Sequence, residues 1–335
     1  MTLFALHNSI TMGLPPRPMF FHLIILIGCC FCFGRAIDCG GKQIAQTIIV
    51  DQQGKGAFKN IQPAIDSVKM NNDRWIKIHI NPGTYVESIY IPDGKPCIIL
   101  EGSDRRTTKI TYGDSKATFA FFSKPPNMVF SGITFENTYG TKGPAVAAKF
   151  NGDKVAIFNC NFLGYQDTLF DASGIHYYKN CYIRGEVDFI WGESRSFFEN
   201  CVIDARQDVS KPTGFITAQR RNSSNDQVGF VFYGGKIIGV GKVLLGRAYG
   251  PYSRVIFWKT DISSVVLPLG WDPWKYKGHE NNFVYAEVDC TGPGANTQGR
   301  VKWEKKPNEI NINEYSLQSF INQDGWLSNL PPISM

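Results

Sequence analysis

Apolar and polar residues alternate along most of the chain in short runs that Gly, Asn, Asp and Pro interrupt. The runs include IKIHI, SIYI, CIILEG, TKITYG, MVFSGITFEN, KVAIFNCNF, HYYKNCYI, SFFENCVI and VGFVFYGGKII. Short stretches of this kind bounded by turn residues predict β-strands. The clearest helical spacing lies at Phe58–Met70 (FKNIQPAIDSVKM), where Ile61, Ala64, Ile65 and Val68 share a face. A chain this poor in helical periodicity predicts an all-β fold.

The pattern also repeats. Asn159-Cys160, Asn180-Cys181 and Asn200-Cys201 each follow an aromatic or apolar pair and open a short β-like run, at intervals of 21 and 20 residues. A strand-based repeat of that length predicts a solenoid with one coil per repeat. Equivalent residues of neighbouring coils then stand about one strand spacing apart, ~4.8 Å. In such a stack the three cysteines are small apolar side chains inside the solenoid, and the three asparagines are turn or ladder residues.

Register pairs two acids. Asp167 in GYQDTLFD comes seven residues after Cys160, and Asp188 in VDFIWG seven after Cys181. Stacked coils would bring their carboxyls within about 5 Å. Two carboxylates that close do not both ionise cheaply near neutral pH, so one keeps a proton while the other stays charged. A general acid and a nucleophile or base thus come from one residue type, with Tyr165, Phe170, Phe189 and Trp191 nearby to exclude water. The same count from Cys201 reaches Asp208, but its context DARQDVSKP is polar and turn-like and predicts a solvated loop. Arg247 in VLLGRAYG is the candidate partner for Asp188, since a bidentate pair would hold a nucleophilic carboxylate charged and aimed.

Composition narrows the setting of this pair. Met19–Gly34 is a 16-residue apolar run between Arg17 and Arg35, with Gly34 and Ala36 small enough for cleavage. It is short for a membrane span and reads as the core of an export signal over 1–36, leaving 37–335 as a single catalytic domain; an uncleaved anchor is the alternative. The remainder holds 33 basic and 29 acidic residues, a net charge of +4. That mild excess without a clustered basic patch speaks against a nucleic-acid binder and suits an acidic polysaccharide. Cys39, Cys97, Cys160, Cys181, Cys201 and Cys290 remain after the signal; their spacing fits no zinc pattern and leaves room for one or two disulfides of unreadable connectivity. Asn222-Ser223-Ser224 is a glycosylation sequon, meaningful for an exported chain.

A resemblance that runs over most of residues 43–330 then identifies a family. GTYVE (83–87), GITFENT (132–138), AVAA (145–148), GYQDTLF (164–170), VDFIWG (187–192), GFITAQ (214–219), LGRAYG (245–250), GWDPW (270–274) and GPGANTQGRVKW (292–303) occur in the order of the plant-type pectinesterases, or pectin methylesterases. The sequence resembles this carbohydrate esterase family. The resemblance implies a right-handed, single-stranded parallel β-helix that hydrolyses the C6 methyl esters of galacturonosyl units and releases methanol. By motif, Asp188 matches the nucleophile that becomes acylated. Asp167 matches the acid that protonates departing methanol and then the base that activates water. Gln166 matches the oxyanion-stabilising glutamine, and Arg247 the arginine that orients the nucleophile. Trp274, Trp191, Phe170 and Tyr249 fall where the family places sugar-contacting aromatics, which bury the apolar faces of sugar rings.

The same resemblance implies a secreted, cell-wall monomer acting on methyl-esterified pectin, with no metal or organic cofactor and with proteinaceous pectinesterase inhibitors as partners in trans. The family's inhibitor-like N-terminal pro-region is not expected, because the helix-poor catalytic part begins within about ten residues of the predicted cleavage site. Two positions depart from the family. Pro144 stands in the substrate-binding region where QAVAL would supply a second oxyanion glutamine, and proline has neither a side-chain amide nor an N–H. Losing one such donor costs roughly 100- to 1000-fold in turnover. Ala248-Tyr249 replaces the usual proline-tryptophan, leaving a smaller aromatic platform. The rival expectations are a polygalacturonase or lyase, whose glycosidic chemistry also uses paired carboxylates, and a weakly active or non-catalytic pectin-binding wall protein.

Overall fold

The structure is a computed structural model that describes residues 38–113 and 119–333. The export-signal reading of 1–36 therefore lies outside the described residues.

Each long β-like run folds as two strands that belong to different sheets. KVAIFNCNF gives Val155–Phe158 and Asn161–Leu163, SFFENCVI gives Arg195–Glu199 and Val202–Arg206, and VGFVFYGGKII gives Gly229–Tyr233 and Lys236–Val240. The corner between them needs a left-handed residue. Asn159, Asn180 and Asn200 have φ of 50°, 56° and 52°, and Gly132 and Gly234 take the same corner in flanking coils with φ of 66° and 64°. Asparagine tolerates this region because its short amide bonds locally, and glycine because it has no Cβ.

Among the described residues the strands form three parallel sheets, one of ten strands and two of eight. Successive strands in each sheet come from successive coils, which is a parallel β-helix. Register follows the cysteine count: Asn161 pairs with Tyr182 and Tyr182 with Val202, so Cys160, Cys181 and Cys201 stack behind them. All three are buried free thiols. Tyr178, Phe198, Phe232 and Phe257 stack as a ring ladder with centroids 4.5–4.6 Å apart, close to the strand spacing. Full burial of side chains of this size contributes roughly 1.5–3 kcal/mol each.

The ten-stranded sheet is buried on both faces, which explains the unbroken apolar runs in strands such as Met128–Ser131 and Val155–Phe158. Its outer face packs Trp75, Val129, Ala156, Phe197 and Ile256 against Tyr315, Phe320, Ile321 and Trp326 of the C-terminal segment. A single disulfide among the described residues joins Cys39 to Cys97 at the N-terminal end. The helix is shorter than the sequence pattern predicts, Ile61–Ser67. Its first free amides, Ile61 and Gln62, donate to the Glu87 carboxylate at 2.9 and 3.1 Å, while Val68 is already extended.

The eight-stranded sheet that runs from Ile89–Ile91 through Leu169–Asp171 and Val187–Gly192 to Trp271–Asp272 stays partly open on its outer face. It carries the site.

Candidate active site

Asp167 and Asp188 occupy equivalent stations on neighbouring coils. Gln166 bridges Val187 in parallel, and the Asp167 amide donates to the Val187 carbonyl at 3.1 Å. Both aspartates are left-handed, with φ of 63° and 49°. A left-handed aspartate is strained by about 1 kcal/mol or more, and neighbouring ladder bonds hold it there. Beside Asp188 the ladder to the next strand is irregular between Val187 and Ile190, a bulge that interrupts regular pairing at this residue.

Arg247 ends the strand Val243–Arg247, two coils further on. Its Nε donates to Asp188 Oδ1 at 2.8 Å and its Nη2 to Asp188 Oδ2, a bidentate pair that is mostly buried. The guanidinium is held in place from two sides, 4.5 Å from the Phe215 ring centroid and 4.2 Å from that of Trp274. Gly246 precedes it because a Cβ there would overlap the Thr217 hydroxyl. Trp274 is in turn fixed by its amide, which donates to Asp272 Oδ1 at 2.7 Å, and by stacking on Tyr249 at 5.5 Å.

A cleft of about 250 Å³ brings Gln166, Asp167, Asp188, Trp191, Ala218, Arg247, Tyr249 and Trp274 together. Phe170 stands just outside it and stacks on Trp191 with centroids 3.6 Å apart. Pro144 does not line the cleft; it is exposed, and the adjacent Ala145 donates its N–H to the Gln166 carbonyl at 3.1 Å. Tyr165 is half-buried and accepts from Lys211 at 2.5 Å. Phe189 points into the solenoid core and so shields the pair only from within. Asp208 is exposed in a polar loop, as its context predicts.

The electrostatics separate the two acids. Burial pushes the Asp167 carboxyl up to about 7, the Asp188 charge adds to the rise, and Arg247 opposes it. Burial also raises Asp188, but here the Arg247 hydrogen bonds and charge act directly against it. Among the described residues no donor reaches the Asp167 carboxyl, so the proton shared by the pair belongs on Asp167 and the charge on Asp188. The Gln166 side-chain amide likewise has no hydrogen-bond partner among the described residues, which leaves its N–H groups free for a ligand oxygen. A protonated acid, an aimed carboxylate and an uncommitted amide around one cleft suit nucleophilic attack on an acyl carbon.

Residues beyond the predicted site positions also shape the cleft: Phe215 and Asp272 orient Arg247 and Trp274, and Ala218 forms part of the wall. Phe215 and Ala218 lie within GFITAQ and Asp272 within GWDPW, but coil lengths here exceed twenty residues, so counting from a cysteine does not reach them. Among the described residues no group of three or more His, Cys, Asp or Glu side chains is arranged to hold a metal ion.

The pectinesterase family profile matches residues 47–324. Two Arabidopsis thaliana proteins are similar over nearly the whole chain. "Probable pectinesterase 55" is 42% identical, with 90% of this chain and 95% of that protein covered. "Probable pectinesterase 29" is also 42% identical, with 93% and 98% covered. Among solved structures, the pectin methylesterase from carrot superposes with a TM-score of 0.80 at 29% identity, covering 84% of this chain and 94% of that one.

Proposed function

The chain belongs to the pectinesterase family, and on that premise we propose that it hydrolyses the methyl esters of galacturonosyl residues in pectin through Asp188 and Asp167. The observation that carries this reading is the asymmetry of the pair: Asp188 is clamped by Arg247, while Asp167 carries a pKa of about 7 and no donor among the described residues.

In the first half-reaction an Asp188 oxygen attacks the ester carbonyl carbon, and the carbonyl oxygen takes up the negative charge facing the Gln166 amide. The tetrahedral species collapses as Asp167 gives its proton to the methoxyl oxygen, so methanol leaves and Asp188 carries the acyl group as a mixed anhydride. In the second half-reaction ionised Asp167 takes a proton from water, whose oxygen attacks the acyl carbon. The C–O bond to Asp188 breaks, and a free galacturonate and both original protonation states return. Trp191, Tyr249 and Trp274 hold the sugar rings against the cleft. Pro144 offers no amide, which leaves the oxyanion to Gln166 and keeps turnover below that of a site with two donors. The enzyme acts outside the cell, on wall pectin, with 1–36 as its export signal and proteinaceous inhibitors as regulators in trans.

The test is methanol release from highly methyl-esterified pectin by protein beginning at Ile37, beside Asp188→Asn, with polymer length followed in the same samples. Release that falls at least about 1000-fold in the variant, at constant polymer length, is expected. Folded wild-type protein that binds pectin without releasing methanol would favour a binding protein instead.

A further inference from the structure

The outward-facing side chains of the site-bearing sheet form one column that continues past the cleft. In ladder register Tyr90 lies beside Phe122, Phe122 beside Lys149, Lys149 beside Phe170, and Phe170 beside Trp191 in the cleft wall. Neighbours in the column touch. Tyr90 and Phe122 have centroids 5.4 Å apart, and the Lys149 ammonium sits 4.5 Å from the Phe122 centroid and 4.6 Å from that of Phe170.

Lys149 is half-buried, and burial lowers its pKa, with the nearby Lys124 adding to the effect. Among the described residues no carboxylate pairs with Lys149, whereas Lys124 is paired with Asp93 at 2.8 Å. Two rings fix the ammonium and partly dehydrate it without neutralising it. The ring faces are turned towards Lys149 and Trp191, so the column offers a pyranose its apolar ring edges, and the unpaired cation between them suits an anionic group.

We propose that Lys149 is a carboxylate-reading position in a sugar-binding tract that extends from the cleft towards the N-terminal end of the solenoid. Resting on the esterase reading above, the ligand is a free galacturonate, bound two coils from Asp188 while a methyl ester occupies the cleft. Two coil spacings are roughly 10 Å. A carboxylate there forms a charge-assisted bond to the ammonium that a methyl ester cannot form. The reaction converts esters into carboxylates, so its own product fits this position and favours successive hydrolysis along one chain.

The probe is a fully de-esterified galacturonate hexamer, with binding to the catalytically silenced Asp188→Asn protein followed by calorimetry at low salt. Adding Lys149→Gln is expected to weaken binding about tenfold, and Lys149→Arg to recover most of it. A fully methyl-esterified hexamer is expected to respond to Lys149→Gln at least several-fold less. Equal affinity for the acidic hexamer with and without the Lys149→Gln substitution would overturn the inference, as would equal losses for the acidic and esterified hexamers. Wild-type protein that shows this Lys149 dependence but releases no methanol would uphold the carboxylate site and sink the esterase reading. Methanol release together with Lys149-independent binding would do the reverse.

Discussion

Asp167 and Asp171 lie four residues apart in GYQDTLFD, yet the fold sends them to opposite sides of the same sheet. Asp171 is fully buried inside the solenoid and saturated with partners. His176 Nδ1 approaches its Oδ1 at 2.5 Å, Tyr178 donates to the same oxygen at 2.7 Å, and the hydroxyls of Ser194 and Ser196 donate to Oδ2. His176 Nε2 reaches the Gly152 carbonyl at 2.7 Å, so both ring nitrogens face acceptors and the ring is an imidazolium. Burial would raise Asp171 and lower His176, but each outweighs that penalty for the other: Asp171 falls below its ordinary value and His176 rises above. Asp167, on the outer face, has the burial without the partners and moves the opposite way. The lesson is that burial alone does not make a carboxylate reactive. What distinguishes the chemical residue is an unmet demand for hydrogen bonds in a cleft that a substrate can enter.

Substitutions separate the two roles. The largest effects come from the acids themselves. Asp167→Asn is expected to lower kcat by about 100- to 10000-fold while the protein folds normally, since it removes the transferable proton. Asp171→Ala is expected to cost about 3–5 kcal/mol in urea unfolding, because it strands a buried imidazolium with three hydroxyls; an undiminished unfolding midpoint would break the contrast. Arg247→Lys should follow, with kcat down roughly 10- to 100-fold, as a single ammonium replaces the two-pronged hold on Asp188. Because Arg247 holds the Asp188 pKa down, the acid limb of the rate profile should also move to higher pH in that variant.

The smallest effect concerns stability and pH. The Asp167 pKa is higher folded than unfolded, so the folded state binds more protons between about pH 4 and 7 and wild-type stability falls as pH rises through that window. Asparagine cannot ionise. Asp167→Asn should therefore gain on wild type as pH rises from 4 to 7 and level off above it, by ~1–3 kcal/mol once partial exposure of the carboxyl is allowed for. Denaturant unfolding at pH 5 and pH 8 measures it.

Much of this is legible in the chain itself, and the reason is periodicity. Where coils are 20 or 21 residues long, counting from Cys160 and Cys181 reaches both aspartates, and the asparagine before each cysteine marks the left-handed corner. The Arg247 partnership follows from a lone arginine at the end of an apolar strand, and the ladder cysteines are core residues as the pattern implies. Other features escape the count because coil length varies. Phe122 and Lys149 are neighbours 27 residues apart, and Trp191 and Ala218 likewise, so no fixed period links them. The Asp171–His176 core is hidden for a different reason: a buried polar network looks in sequence like the polar end of any strand. Phe189 illustrates the limit of proximity arguments, since its neighbour Asp188 turns outward while it turns in.

The most direct measurement is a carbon-13 NMR titration of the aspartate carboxyls in wild-type protein, Asp167→Asn and Asp171→Asn. We expect one carboxyl titrating near pH 7 that disappears in Asp167→Asn, and an Asp171 signal that stays ionised at acid pH where ordinary carboxylates protonate. An Asp167 carboxyl that titrates near pH 4 with exposed aspartates would contradict the assignment of the proton to Asp167.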